Sequence, residues 1–151
     1  MNPQTLSRVP FVSALAVGAT ERDQLELEKI FRECGWTLGR ARTRSEACRF
    51  MDATPVRVVI SEREFPEGGW REMLDDLMGR PEPPPLLVTS RLADDSLWAE
   101  VLNMGGYDVL AQPLDGEEVT RVVSAAVRHF DNEHQRRQPQ VSRPIFLAAA
   151  S

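Results

Sequence analysis

Five short apolar runs alternate with five helical patterns along this chain of 151 residues. The runs, rich in apolar and β-branched residues as strands are, lie at residues 12–17, 36–42, 56–61, 86–90 and 107–111. Such alternation favours an open parallel sheet with helices on both faces. Five units joined by short loops predict a flavodoxin-like α/β fold, a doubly wound five-stranded sheet of strand order 2-1-3-4-5.

Local signals mark the ends of the predicted helices. Thr20 and Thr43 precede helical patterns and are predicted N-caps. Gly35 is the expected end of the first helix, because glycine readily adopts the left-handed conformation found there. The last helix has apolar residues at the helical period over three turns, and we expect it to fade after Asn132.

The length of the chain predicts one domain with short extensions. The domain is expected at residues 11–131, after a tail at 1–10 and before a flexible extension at 132–151. Residues 135–143 carry three arginines and no acid, which fits a solvated segment or, more weakly, an anionic partner. The apolar stretch IFLAAA at residues 145–150 either docks on this domain, docks on a neighbouring molecule, or stays disordered.

Composition narrows the cellular setting and the kind of partner. The formal net charge of −5 argues against a nucleic-acid partner, which needs a clustered basic surface. The absence of a long apolar stretch and of a signal-peptide pattern predicts a cytoplasmic protein with no membrane partner. Cys34 and Cys48 are too few for a disulfide framework, so we expect reduced, buried thiols.

Four stretches near the predicted strand ends carry a family resemblance. They are VVISE, REFPEGGW, LLVTS and YDVLAQP, in that order. Together they resemble the receiver domain of bacterial two-component response regulators, over about residues 11–131. The pattern is similar to a degenerate subgroup that lacks the phosphoacceptor aspartate. The resemblance implies a signalling protein of phosphorelay systems rather than an enzyme.

The resemblance assigns the metal and acceptor positions to residues that have lost the usual chemistry. The acidic pair that holds Mg²⁺ in working receivers corresponds to Gly18 and Ala19, which offer no carboxylate. The acceptor corresponds to Glu62, four residues before Pro66. We therefore predict no metal and no cofactor. Glu62 is interpreted either as a fixed charge that imitates the phosphorylated state or as a partly solvated acid.

The resemblance also assigns the residues that respond to the phosphoryl group. Thr89 matches the switch hydroxyl, whereas Val109 replaces the aromatic switch residue and has no ring to swing. Gln112 replaces the lysine and keeps a donor without the charge. Arg91 is interpreted first as a solvent-facing arginine, and in the alternative as a charge partner of Glu62 in the lysine's place.

The predicted function is a phosphorylation-independent protein-interaction module that binds a kinase or an effector. The resemblance places its binding face, which also allows a homodimer, on helix 4, strand 5 and helix 5, near Trp98 and Tyr107. One alternative is a receiver phosphorylated at a non-standard site. The other is a small enzyme or ligand binder, which the absence of a nucleotide-binding or nucleophile motif disfavours.

Overall fold

The computed structural model describes residues 12–137, which form seven strands and five helices. The strands are β1 (Ser13–Val17), β2 (Thr37–Ala41), β3 (Val58–Glu62), β4 (Glu64–Phe65), β5 (Gly68–Gly69), β6 (Leu86–Ser90) and β7 (Asp108–Ala111). The helices are α1 (Glu21–Cys34), α2 (Arg44–Ala53), α3 (Trp70–Met78), α4 (Asp95–Met104) and α5 (Gly116–Arg137). Residues 1–11 and 138–151, which include the predicted N-terminal tail and the IFLAAA stretch, lie outside the described residues.

Five of the strands form one parallel sheet in the order β2-β1-β3-β6-β7. The other two, β4 and β5, pair as a short antiparallel hairpin between β3 and α3. Without that hairpin the order is 2-1-3-4-5, so the predicted flavodoxin-like fold is confirmed. The register places Glu62 of β3 beside Thr89 of β6. The carboxyl ends of the two strands therefore meet at one edge of the sheet.

Each face of the sheet is covered by its own apolar cluster, as the prediction of helices on both faces requires. Helices α1 and α5 cover one face, where Phe31 and Val123 are among the buried residues. Helices α2, α3 and α4 cover the other face, where Trp70 and Val101 are buried. Helices therefore cover both faces of the sheet.

The predicted helix ends are confirmed by their hydrogen bonds. The hydroxyl of Thr20 accepts from the backbone N–H of Asp23 at 3.2 Å, and the hydroxyl of Thr43 accepts from the N–H of Glu46 at 3.2 Å. Gly35 ends α1 in the left-handed region, with φ of 72°. These contacts satisfy backbone groups that a helix end would otherwise leave without partners.

The prediction that the last helix fades after Asn132 is wrong, because α5 continues to Arg137. His134, in the additional turn, makes one contact with a distant part of the chain and one within α5. Nδ1 of His134 lies 3.0 Å from a carboxylate oxygen of Glu82. Glu82 belongs to the proline-rich connector before β6, residues 79–85. The ring of His134 also stacks on that of Phe130, with 6.2 Å between the ring centroids.

Two further findings concern the predicted cellular setting. Within residues 12–137, no helix is long and apolar enough to cross a membrane. Cys34 and Cys48 are both free thiols, as predicted, but they are half-buried rather than buried. Cys34 lies on the last turn of α1, and its sulfur contacts the hydroxyl of Thr120 on α5 at 3.6 Å. It therefore packs where these two helices meet rather than in the core.

Candidate functional site at the carboxyl edge of the sheet

Four polar side chains converge where β1, β3, β6 and β7 end. Glu62 is the last residue of β3, Thr89 lies in β6 beside it, and Gln112 directly follows β7. The fourth is Asp23, in the first turn of α1. Parallel strands bring their carboxyl ends together, and this edge is where doubly wound sheets bind ligands.

A single amide group joins the two acids of this site. Nε2 of Gln112 donates to Oδ2 of Asp23 at 2.8 Å and to Oε2 of Glu62 at 3.1 Å. An amide nitrogen carries two hydrogens, so one glutamine can serve both carboxylates. The hydroxyl of Thr89 donates to the same oxygen of Glu62 at 2.9 Å. The four side chains therefore form one continuous hydrogen-bonded cluster.

The cluster is largely withdrawn from water. Asp23, Thr89 and Gln112 are 5%, 3% and 7% exposed, whereas Glu62 is half-buried. Burial raises the pKa of Glu62 above its usual value, and the nearby charge of Asp23 adds to the effect. The hydrogen bonds from Thr89 and Gln112 and the charge of Arg91 oppose the shift without cancelling it.

Packing closes Gly18, the position where the resemblance places the first metal-binding acid. Gly18 has φ of +76°, and a Cβ atom built on it would lie 2.5 Å from Cβ of Phe65. A side chain at this position would collide with a residue that is itself buried. Ala19 is half-buried and has no polar side chain. Gly18 and Ala19 thus lie at the predicted edge and bring no ligand to it.

The remaining side chains do not fit the Mg²⁺ that working receivers hold. The amide hydrogens of Gln112 point at the carboxylate oxygens of Asp23 and Glu62 that would have to face a cation. Within the described part of the chain, no group of three or more acidic, histidine or cysteine side chains is arranged to hold a metal ion. No step of the proposed function therefore uses a metal.

Arg91 lies at the mouth of the cluster but pairs with a different acid from the one predicted. Its Nη2 atom is 3.8 Å from Oδ2 of Asp23, so its ion pair is with Asp23 and not, as the alternative interpretation required, with Glu62. The side chain is 58% exposed and extends over the site towards α1. Its charge still lowers the pKa of Glu62.

Asp23 is the site residue that the sequence patterns did not single out. They marked it as an acid in the first turn of α1, where carboxylates favour the helix dipole. One signal could have found it: Asp23 lies three residues after the N-cap Thr20, so its carboxylate turns back towards the end of β1. The hydroxyl of Thr20 donates to that carboxylate at 3.1 Å.

Three of the predicted site residues lie outside the hydrogen-bonded cluster: Val109, Trp98 and Tyr107. Val109 is half-buried and packs against the apolar cluster under α2, α3 and α4. Trp98 is 50% exposed on α4, and its ring N–H donates to Asp108 at 3.2 Å. Tyr107 packs against the other apolar cluster, with its ring centroid 5.3 Å from that of His129. Of the two residues predicted on the binding face, Trp98 is the more accessible.

Replacing Glu62 with glutamine should stabilise the protein most at neutral pH. Because the pKa of Glu62 is raised in the fold, its contribution to stability is present below the unfolded-state pKa and is lost as pH rises through the folded-state pKa. Glu62→Gln removes this ionisation and keeps an oxygen that accepts hydrogen bonds. We expect a higher Tm than wild type near pH 7.5, with the difference shrinking towards pH 4.

Thermal unfolding followed by circular dichroism from pH 4 to pH 8 measures this difference. Glu64→Gln removes the same charge from an exposed neighbour and controls for net charge. An equal gain in both variants, or a gain for Glu62→Gln that does not change with pH, would contradict the prediction.

The sequence of this chain resembles part of a known transcriptional regulator. No family model matches the chain. It is 26% identical over 89 residues to the transcriptional regulatory protein FixJ of Bradyrhizobium diazoefficiens. That match covers 57% of this chain and 43% of FixJ, so the chain spans less than half of this relative's length.

Two solved structures extend the comparison over most of the described residues. The signal receiver domain of an HD domain-containing protein from Pseudomonas fluorescens has a TM-score of 0.72 and 22% identity, covering 82% of this chain and 99% of that domain. A chain of the CheX–CheY–BeF3–Mg complex from Borrelia burgdorferi has a TM-score of 0.70 and 21% identity, covering 80% and 92%. The chain therefore has the fold of response-regulator receiver domains.

Proposed function

We propose that this receiver-fold protein acts in two-component signalling as a cytoplasmic protein-interaction module that does not need phosphorylation. The observation that carries the proposal is the amide of Gln112 bound to both Asp23 and Glu62. Phosphoryl transfer requires cations that offset the charge of the incoming group. Here a neutral amide already occupies the space between the two acids, and the exposed Arg91 pairs with Asp23 at 3.8 Å.

In this proposal Glu62 acts as a permanent substitute for the charged, phosphorylated state. The resemblance implies that, in active receivers, the hydroxyl at the position of Thr89 binds a phosphoryl oxygen. In this chain the same hydroxyl donates to a carboxylate oxygen of Glu62. The longer side chain of glutamate brings that oxygen within 2.9 Å of the hydroxyl, which supports one fixed state rather than a reversible switch.

Absence of phosphorylation is the first result that we expect. Incubation of the purified protein with acetyl phosphate and Mg²⁺, followed by intact-mass measurement, should leave the mass unchanged. A phosphorylatable receiver domain treated in parallel is the positive control. An added phosphoryl mass on this protein would overturn the proposal and favour a receiver that is modified at a non-standard site.

The proposed partner, a kinase, an effector or a second copy of this chain, binds the face formed by α4, β7 and α5. On α4, Leu97 and Val101 are buried while Trp98 and Leu102 are exposed, so part of a wide apolar stripe faces solvent. A half-exposed tryptophan is the kind of side chain that dominates binding energy at protein interfaces. Trp98 is therefore the residue whose removal tests this face.

Loss of partner binding is expected from Trp98→Ala. Truncating a central tryptophan at an interface typically weakens binding by about 2 kcal/mol or more, which is roughly thirtyfold or more. Leu25→Ala is the matched control, because Leu25 is also a large exposed apolar residue, on α1. Capture from native extract should recover a partner with wild type and Leu25→Ala but not with Trp98→Ala. Equal recovery by all three would place the binding face elsewhere.

A further inference from the structure

A cleft of about 420 Å³ opens at the amino edge of the sheet, opposite the edge that holds Glu62. The last turns of α3, α4 and α5 and the proline-rich connector before β6 form its walls. Apolar and aromatic side chains dominate the lining, among them Leu77, Tyr107 and Phe130. A concave apolar site of this size is large enough to hold several side chains.

Two large apolar residues at this cleft remain exposed within the described part of the chain. Met78 is 55% exposed and Leu102 is 36% exposed, and they lie on different helices that face the same cleft. Gly105 helps to keep this space open, because a Cβ atom built on it would lie 3.0 Å from the terminal methyl of Met78. Exposed apolar side chains that line one cleft are typical of a docking site.

A suitable apolar segment follows α5 in the sequence, within reach of this cleft. Phe130 and His134 line the cleft, and α5 ends at Arg137, only a few residues further. Seven helical residues rise about 10 Å, which is the distance from Phe130 to the helix end. Residues 138–144 are a polar spacer with two prolines, and seven residues can span roughly 23–25 Å. The spacer is therefore long enough to bring residue 145 back to the cleft.

We propose that residues 145–150, IFLAAA, occupy this cleft within the same molecule. The side chains of Ile145, Phe146 and Leu147 cover Met78 and Leu102 and fill the space above Gly105. Residues 138–151 contain one arginine and no acid, so the acids at the rim of the cleft, Glu82 and Glu133, do not repel the segment. Leu102 is also part of the exposed stripe of α4 described above, so a docked segment leaves Trp98 as the exposed residue of that stripe. The absence of phosphorylation proposed above does not depend on this docking.

Amide hydrogen exchange of the full chain, followed by mass spectrometry, tests the docking. Phe146→Asp places a charge in the segment and should release it, so that amides within residues 77–86 and 102–107 exchange about tenfold faster than in wild type. Gln140→Asp adds the same charge within the spacer and should leave the exchange unchanged. Addition of a peptide of residues 141–151 to Phe146→Asp should restore protection, whereas a scrambled peptide should not.

Equal exchange in wild type, Phe146→Asp and Gln140→Asp would overturn the proposal. Light scattering on the same samples separates docking within one molecule from docking between two molecules. A dimer that Phe146→Asp converts to a monomer, or protection that disappears on dilution, would assign the segment to a neighbouring copy and would also overturn it. Failure of this docking would leave the phosphorylation and partner experiments unaffected.

Discussion

Replacing Gly18 with aspartate should destabilise the protein by about 3 kcal/mol, although the resemblance places a metal-binding acid of working receivers at this position. The backbone of Gly18 has φ of +76°, a conformation that most side chains adopt with strain. The new Cβ atom would also lie 2.5 Å from Cβ and 2.7 Å from Cγ of Phe65. Phe65 is 9% exposed and packs in the core, so it cannot move aside freely.

Urea unfolding of wild type and Gly18→Asp measures this loss of stability. Gly18→Ala shares the strain and the collision without the charge, and it should lose a large part of the same stability. Ala19→Asp adds an identical carboxylate at the half-buried neighbour and should change the free energy of unfolding by less than about 1 kcal/mol. Wild-type stability in Gly18→Asp would show that Phe65 yields and that the acid position is open.

Replacing Gln112 with leucine should destabilise the protein by about 2 kcal/mol at pH 7. Leucine is similar in size but removes the donor that lies between the carboxylates of Asp23 and Glu62. Their oxygens would then face one another in a largely buried site with Thr89 as the remaining donor to Glu62. Asp23 keeps the hydroxyl of Thr20 and Glu62 keeps that of Thr89, but each acid loses one donor in a site with little access to water, so the loss exceeds that of a surface contact.

The pH dependence of this loss follows from the raised pKa of Glu62. Loss of the Gln112 hydrogen bond raises that pKa further, because the bond favours the charged form. The folded variant therefore binds a proton more tightly than the unfolded chain, and its stability relative to wild type recovers as pH falls towards 4.

Urea unfolding of Gln112→Leu at pH 7 and near pH 4.5 tests both the size and the direction of the change. Gln112→Lys is the matched variant, because a lysine ammonium can donate to both carboxylates and adds an opposite charge. We expect it to equal or exceed wild-type stability at pH 7. Equal losses for the leucine and lysine variants would show that the amide packs at the site without linking the acids.

The fold was predictable because its signals are local or periodic. Buried parallel strands read as nearly continuous apolar runs, as in the stretch around Ile60, and Thr20 and Gly35 mark the two ends of α1 by chemistry confined to a few residues. The end of α5 was not predictable in this way. A contact in its added turn, between His134 and Glu82, joins residues that are 52 positions apart.

The candidate site was predictable only where its residues end strands. Glu62 and Thr89 lie on predicted neighbouring strands, so their proximity follows from strand order. Asp23 comes from a helix, and its burial depends on how α1 packs beside the sheet. The actual partner of Arg91 likewise depends on the direction of a long side chain at the mouth of the site.

The amino-acid sequence by itself determined the doubly wound sheet, the helix caps, and the absence of a carboxylate at Gly18 and Ala19, directly after β1. The tertiary structure alone decided that Gln112 joins Asp23 to Glu62 and that Phe65 fills the space beside Gly18. Periodicity and capping act between near neighbours and can be read along the chain. The hydrogen bonds of the site join residues up to 89 positions apart, so only the packed fold brings their atoms together.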